Sequence, residues 1–170
     1  AVSRNEIVKH ATGDFIVFFD DDDVSAPQRV EAQLARIIEY EAEFAAGAPV
    51  VCHTARLQIY PDGNQRIEPT MGQTRGRPAP SGPPVARRAL MGEPLEDAYG
   101  SCATCSQAAR TETYRRLGGF DARLRRCEDF DFAIRLALAG GHFVGLPEPL
   151  VTQRMTGTSE KNLDILKGFT

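Results

Sequence analysis

The chain has 170 residues, enough for one domain with a real core and cramped for two. Twenty Lys and Arg stand against 23 Asp and Glu, and the net charge of −3 gives no global reason to expect nucleic acid as a partner. Four cysteines, Cys52, Cys102, Cys105 and Cys127, are too few and too irregular for a disulfide scaffold, so a cytoplasmic, reducing compartment is the default expectation.

In chain order, residues 6–11 read as a short helical stretch that ends before Gly13. Residues 14–19 then form an apolar and aromatic run bounded by Gly13 and by acids, the pattern of a short buried strand. A strand of an α/β domain needs a neighbour, and the residues ahead of this one leave no room for it, so the chain is expected to be part of a longer one. Asp20, Asp21, Asp22 and Asp23 follow directly. Adjacent carboxylates repel and raise one another's pKa values, so such a run is usually neutralised by water, basic side chains or a divalent cation. An ion that prefers oxygen ligands, Mg²⁺ or Mn²⁺, fits best. The alternative is a solvated acidic turn that caps the next helix. Position favours a site, because open α/β sheets bind ligands beyond the carboxyl ends of their strands.

Ser25 and Gln28 resemble a capping box, with Pro27 near the first turn of a long helix. Val30, Leu34, Ile37, Ile38 and Phe44 recur at helical spacing as its expected core face, and Gly47 offers a stop. Residues 50–60 and 65–68 read as two strands joined by a turn through Pro61, Asp62, Gly63 and Asn64. The stretch 69–84 is rich in Gly and Pro and reads as a mobile loop carrying Arg75 and Arg77. Cys102 and Cys105 form a C-x-x-C without the second pair that structural zinc needs and without a thioredoxin-like context.

Residues 111–117 read as a short helix stopped by Gly118, and Gly119, Phe120 and Asp121 as a turn. A clearer helix covers 128–138, with Phe130, Ala133, Ile134, Ala137 and Leu138 on its apolar face and Gly140 and Gly141 at its end. Glu128 and Asp129 occupy its start, where the helix dipole favours anions, with Asp131 and Arg135 following. Arg110, Arg115, Arg116, Arg123, Arg125 and Arg126 make the late part of the chain basic, either as a phosphate contact or as a solvated face. Short strands at 142–146 and 150–154 flank Pro147 and Pro149, and a last helix is expected over 162–167.

The ordered set of buried strand, acidic cluster, long helix, loop, Gly-Gly-Phe-Asp and Glu-Asp at a helix start resembles the family 2 glycosyltransferases of the A-type nucleotide-sugar fold. Arg4 and Asn5 lie in a stretch like R-N-x-G-I-x-x-A-x-G, and Pro147-Glu148-Pro149-Leu150 extends the match towards the end of the chain. The resemblance implies an α/β, Rossmann-like GT-A domain over residues 1–170, with a mixed, mainly parallel sheet flanked by helices and the family's first βαβ unit absent. It implies a metal-dependent, inverting, hexosyltransferase-like enzyme that moves a sugar from a nucleotide-sugar donor, a UDP-sugar above all, to a hydroxyl on a polysaccharide, lipid-linked or protein glycan acceptor. Membrane association would then reside in the full-length protein.

On the same ground, Asp20 and Asp22 match the D-x-D pair that holds the cation and the donor, and Arg4 and Asn5 join them as donor contacts. Asp129 matches the general base, with Glu128 shaping the site. A carboxylate base needs a raised pKa, and crowding by Glu128 and Asp131 is the expected cause. Asp23, Gly119 and Arg154 are candidate acceptor or phosphate contacts. Ile7 stands where the family often has Gly, and Thr156 where many members place a metal-binding His. Those two departures support a competing reading, a glycosyltransferase-like binding or scaffolding module without catalysis.

Overall fold

The computed structural model describes residues 1–155, so Thr156 and the helix expected over 162–167 lie outside the described residues. Helix α1 (Val2–His10) leads into β1 (Phe15–Val17), and β2 (Val24–Ser25) follows the aspartate run. Helix α2 (Arg29–Tyr40) continues into a π-helical turn, Glu41–Ala45, before the long strand β3 (Val50–Ile59) and its hairpin partner β4 (Gln65–Glu68). Then come α3 (Pro83–Met91), a 3₁₀ turn Thr104–Ser106, β5 (Gln107–Arg110), α4 (Thr111–Arg116), α5 (Glu128–Leu138) and β6 (His142–Arg154).

The strands form one mixed sheet in the order β1-β5-β3-β6-β2, with β4 added beside the second half of β3. Of its pairings, β3 with β6 is parallel, whereas β1 with β5, β5 with β3, β3 with β4 and β2 with β6 are antiparallel. The mixed sheet flanked by helices is as expected, but among the described residues antiparallel pairing predominates. A parallel pair needs a crossover, which the helices between β3 and β6 supply, whereas the tight turn after β3 returns the chain antiparallel.

Alternation along the strands sorts the core into two layers. Ile16, Val51, Ala109 and Phe143 face a cluster built with Val8, Val85, Tyr114, Phe132 and Leu136 from α1, α3, α4 and α5. Their neighbours Val50, Cys52, Ala108 and Val144 face Ile37 and Tyr40 of α2 on the other side.

Helix α2 buries only part of the face its hydropathy predicts. Val30 and Ile38 are exposed, and the buried stripe is Arg29, Gln33, Arg36, Ile37 and Tyr40. The polar members are tolerated inside because they have partners. Arg29 donates through Nε to Gln33 Oε1 at 2.9 Å and through Nη2 to the Phe18 carbonyl at 2.8 Å. Gln33 Nε2 donates to the carbonyls of Cys52 and Ser106 at 3.1 and 2.9 Å. The capping box is also absent, for Ser25 lies in β2 and its hydroxyl accepts from Arg29 at 2.8 Å while no side chain caps α2.

Three further differences have local causes. Helix α5 buries Phe132, Ala133, Leu136 and Ala137, leaving Phe130 and Leu138 outward, because its packing face is rotated from the expected one by about one residue position. The two short strands around Pro147 and Pro149 are one strand, β6, with a register shift opposite Thr54, Ala55 and Arg56 that carries Pro147, Glu148 and Pro149 to the surface. In the Gly/Pro-rich stretch Met71 is buried, the Gly72 carbonyl accepts from Gly145 N–H at 2.9 Å, and α3 begins at Pro83. A Cβ on Gly72 would lie 1.9 Å from the Phe143 carbonyl oxygen, so this crossing requires glycine.

Replacing Gln33 by Ala leaves two buried carbonyls and Arg29 Nε without their partner, and it is expected to lower stability by about 2–4 kcal/mol. Val30→Ala and Ile38→Ala should each change it by about 1 kcal/mol or less. Urea denaturation midpoints of the three variants check this ranking.

Candidate active site

The aspartate run sits where it does because β1 and β2 lie at opposite ends of the strand order, so residues 18–23 must pass over the ends of the strands between them. Phe18 N–H still bonds to the Gln107 carbonyl at 3.0 Å, and Asp23 N–H closes a turn onto the Asp20 carbonyl at 3.3 Å. Beneath the turn, the buried Arg29 guanidinium holds the Phe18 carbonyl, and its Cζ lies 4.7 Å from the centre of the Phe19 ring. Phe18 also packs edge-on against Tyr114 and Phe120, which together with Phe132 form an aromatic cluster under the site.

Of the aspartate run, Asp20 and Asp23 are the members that gather with a third ligand residue. Asp20, Asp23 and Cys105 each bring a ligand atom to within 4.8 Å of the others, whereas Asp21 and Asp22 are exposed and outside that group. Asp23 Oδ2 is buried without a hydrogen-bond partner. Burial, reinforced by the charges of Asp22 and Asp20, raises the Asp23 carboxyl above the usual range, while Cys105 and Arg56 act in the opposite direction. In the sequence Cys105 stands only as half of a C-x-x-C. Its thiol faces Arg56 Nη1 at 3.9 Å and Gln153 Nε2 at 3.8 Å, groups from β3 and β6 that no local pattern connects to it. All four cysteines are free thiols, and burial pushes Cys102 up to about 12 and Cys105 up to about 11, which removes the basis for a reactive redox pair.

Arg4 joins the two halves of the site. Its Nη1 donates to Glu128 Oε1 at 2.6 Å and its Nη2 reaches Asp20 Oδ1 at 3.4 Å. Asn5, the neighbouring candidate, is occupied by the backbone of the Gly-Gly-Phe-Asp turn. Its Nδ2 donates to the Phe120 carbonyl at 2.7 Å and its Oδ1 accepts from Phe120 N–H at 2.8 Å. Gly119 sits at φ +70°, and a Cβ there would fall 2.5 Å from Asn5 Oδ1, so its role on this geometry is close approach.

Glu128 and Asp129 open α5, with Cys127 ahead of them in a left-handed conformation at φ 61°. Burial raises the Asp129 carboxyl, the Glu128 charge adds to this, and the Phe130 N–H bond at 2.8 Å opposes it. Asp131 is held instead in an ion pair with Arg135 at 2.8 Å, and Arg135 in turn donates to the Leu117 and Gly119 carbonyls at 2.6 and 2.8 Å. A cavity of about 130 Å³ lies beside α5, between α3 and residues 100–102, with Met71, Val85, Phe130 and Ala133 in its wall. Arg154 is at the end of β6 opposite Ile59. Of the late arginines, Arg110 pairs with Glu41 at 2.6 Å, Arg115 donates to the Ala11 carbonyl at 2.7 Å and Arg123 pairs with Asp121 at 2.7 Å.

Residues 1–109 match the family model described as Glycosyl transferase family 2. The chain belongs to this glycosyltransferase family. The matched segment contains Arg4, the aspartate run and Cys105, and it stops before Glu128 and Asp129. Relatives extend the likeness across the later motif. The chain is 28% identical over 156 residues to the putative glycosyltransferase EpsE of Bacillus subtilis, covering 91% of this chain and 48% of that protein. It is 26% identical over 156 residues to the amylovoran biosynthesis glycosyltransferase AmsB of Erwinia amylovora, with 91% and 46% covered. An uncharacterized glycosyltransferase of Haemophilus influenzae is 28% identical over 140 residues, with 80% and 40% covered. The chain thus spans about half the length of the curated relatives it matches. No helix among the described residues is long and apolar enough to cross a membrane.

Asn5→Ala removes both bonds to Phe120 and is expected to destabilise the fold by about 2 kcal/mol. The same variant should speed hydrogen exchange at the Phe120 amide, as read by mass spectrometry or NMR.

Proposed function

We infer that this glycosyltransferase family 2 chain carries the metal-assisted, inverting transfer of a sugar from a nucleotide-sugar donor, a UDP-sugar first, to a hydroxyl acceptor. The single observation that carries the reading is the Arg4 bridge, which puts the donor-side acid Asp20 and the base-side acid Glu128 into one site although 124 residues separate Arg4 from Glu128.

The family implies a divalent cation, and the donors present suit one. Two carboxylates and a thiol converge, and Asp23 Oδ2 is a buried acceptor with nothing to accept from. Asp20 and Asp23, with Asp22 at the rim, would hold the ion, whose chemistry when bound is to neutralise charge developing on the departing diphosphate. Everything else falls to the protein. Arg4 keeps Asp20 and Glu128 in place, and Asn5 fixes the turn below them. The Asp129 carboxylate accepts the acceptor hydroxyl's proton as that oxygen attacks the anomeric carbon from the side opposite the leaving group. Its raised pKa suits it to this task better than an ordinary surface carboxylate.

Turnover of nucleotide sugars by the complete protein with Mn²⁺ tests the reading, and failure to transfer or hydrolyse every common donor would falsify it. Asp129→Asn should leave donor binding within about twofold and reduce turnover by about a thousandfold or more, whereas Asp20→Asn should weaken donor binding itself. Donor binding without turnover in the unmutated protein would favour a binding module instead.

The pH dependence follows from the direction of the Asp129 shift. A carboxyl raised in the folded state binds its proton more tightly there than in the unfolded chain, so it favours folding below its unfolded pKa, and that contribution is lost as pH rises through the folded value. Asp129→Asn is therefore expected to unfold at a higher urea concentration than the unmutated protein at pH 7, with the difference vanishing at acid pH, while activity of the unmutated protein rises with pH through the folded pKa.

A further inference from the structure

The cavity beside α5 is apolar below and polar at its mouth. Met71, Val85 and Ala133 line it and are almost fully buried, so they form its floor, whereas Ser101 and Phe130 are exposed and form its rim. Its volume of about 130 Å³ is close to the ~150 Å³ of an apolar cavity that admits benzene. It therefore has room for a substituent of a few heavy atoms and is too small for a whole sugar.

The cavity adjoins Asp129. Phe130 follows Asp129 directly at the start of α5, and Cys102 in the wall feels its charge. Burial raises the Cys102 thiol, Arg88 opposes this and Asp129 adds to it, and at about 12 the thiol stays neutral. Arg88 turns its guanidinium to the Gly100 carbonyl at 3.3 Å. At the rim, Ser101 Oγ accepts from Arg56 Nη2 at 2.5 Å, and a hydroxyl that accepts in this way keeps its own hydrogen to donate. Arg56 is buried and braced at 2.8 Å by Gln153 Oε1, which fixes the position of that hydroxyl.

We propose that this cavity is a specificity pocket for an N-acetyl substituent on the acceptor sugar, with the acetyl methyl on the floor of Met71, Val85 and Ala133 and the amide carbonyl accepting from Ser101 at the rim. The proposal rests on the preceding reading, in which Asp129 meets the acceptor hydroxyl, and adds to it the class of acceptor. A hydroxyl in place of the acetamido group leaves the apolar floor unfilled. One methyl in such a pocket is worth about tenfold or more in selectivity.

Ligand-observed NMR on the complete protein compares the methyl glycosides of N-acetylglucosamine and N-acetylgalactosamine with those of glucose and galactose. In at least one of these pairs the acetamido sugar should bind about tenfold or more tightly than its hydroxyl counterpart, with its acetyl methyl receiving the strongest saturation from the protein. Ala89→Leu extends a side chain into the cavity from α3 and keeps a good helix former at a partly exposed position. It should abolish the preference while holding affinity for the hydroxyl sugar within about twofold. Ser101→Ala should reduce the preference about fivefold, and it decides the matter if Ala89→Leu does not fold. Equal affinities in both pairs, no binding of any of the four glycosides, or a preference that persists unchanged in either variant overturns the proposal. Sugar transfer is assayed separately on the same protein with Mn²⁺. An acetamido preference without transfer sinks the enzymatic reading and spares the pocket, while transfer that ignores the acetamido group does the reverse.

Discussion

The Arg4 guanidinium touches two carboxylates that would otherwise repel each other across the site, Asp20 at the end of the first strand and Glu128 at the start of α5. All three side chains are partly shielded from water, which makes their attraction stronger than that of a surface pair. The helix that supplies Arg4 also supplies Asn5, one residue on, and Asn5 locks the turn between α4 and α5. Two adjacent residues of α1 therefore set both the charge balance of the site and the direction in which α5 enters it. The aromatic cluster of Phe18, Tyr114, Phe120 and Phe132 completes the support from below with apolar contacts that do not depend on charge.

A second theme is that cationic side chains form part of the interior. Arg29, Arg36 and Arg56 are all nearly inaccessible to solvent, and their partners are mainly carbonyl, amide and hydroxyl oxygens. Arg29 and Arg56 lie below and beside the aspartate turn, where their positive charge offsets part of the repulsion among its carboxylates. His53 contributes nothing to this, because burial and the neighbouring Arg56 push it down to about 3 and it packs as a neutral ring against Gln107.

Local signals in the chain were enough to locate β1, the aspartate turn, the β3–β4 hairpin and the Glu-Asp helix start. Each rests on residues within one turn or strand of one another. What hydropathy hid was long-range. Arg29 and Gln33 look like surface residues until the carbonyls of Phe18, Cys52 and Ser106 are brought over α2, and Cys105 looks like half of a weak motif until Asp20 and Asp23 pass above it. The rotation of α5 has the same origin, because Phe132 is drawn inward by Tyr114 and Phe120, partners outside its own helix.

The passage of residues 18–23 from β1 to β2 also bears on why the acidic run has the length it does. Its two ends are pinned, Ile16 opposite Ala109 at one edge of the sheet and Ser25 opposite Val151 at the other. Removing one residue would pull one edge strand out of register, and inserting one would lift the turn away from Cys105 and Arg4. Asp21, exposed and outside the convergent group, thus acts as a spacer in a run whose number of residues is fixed by the width of the sheet.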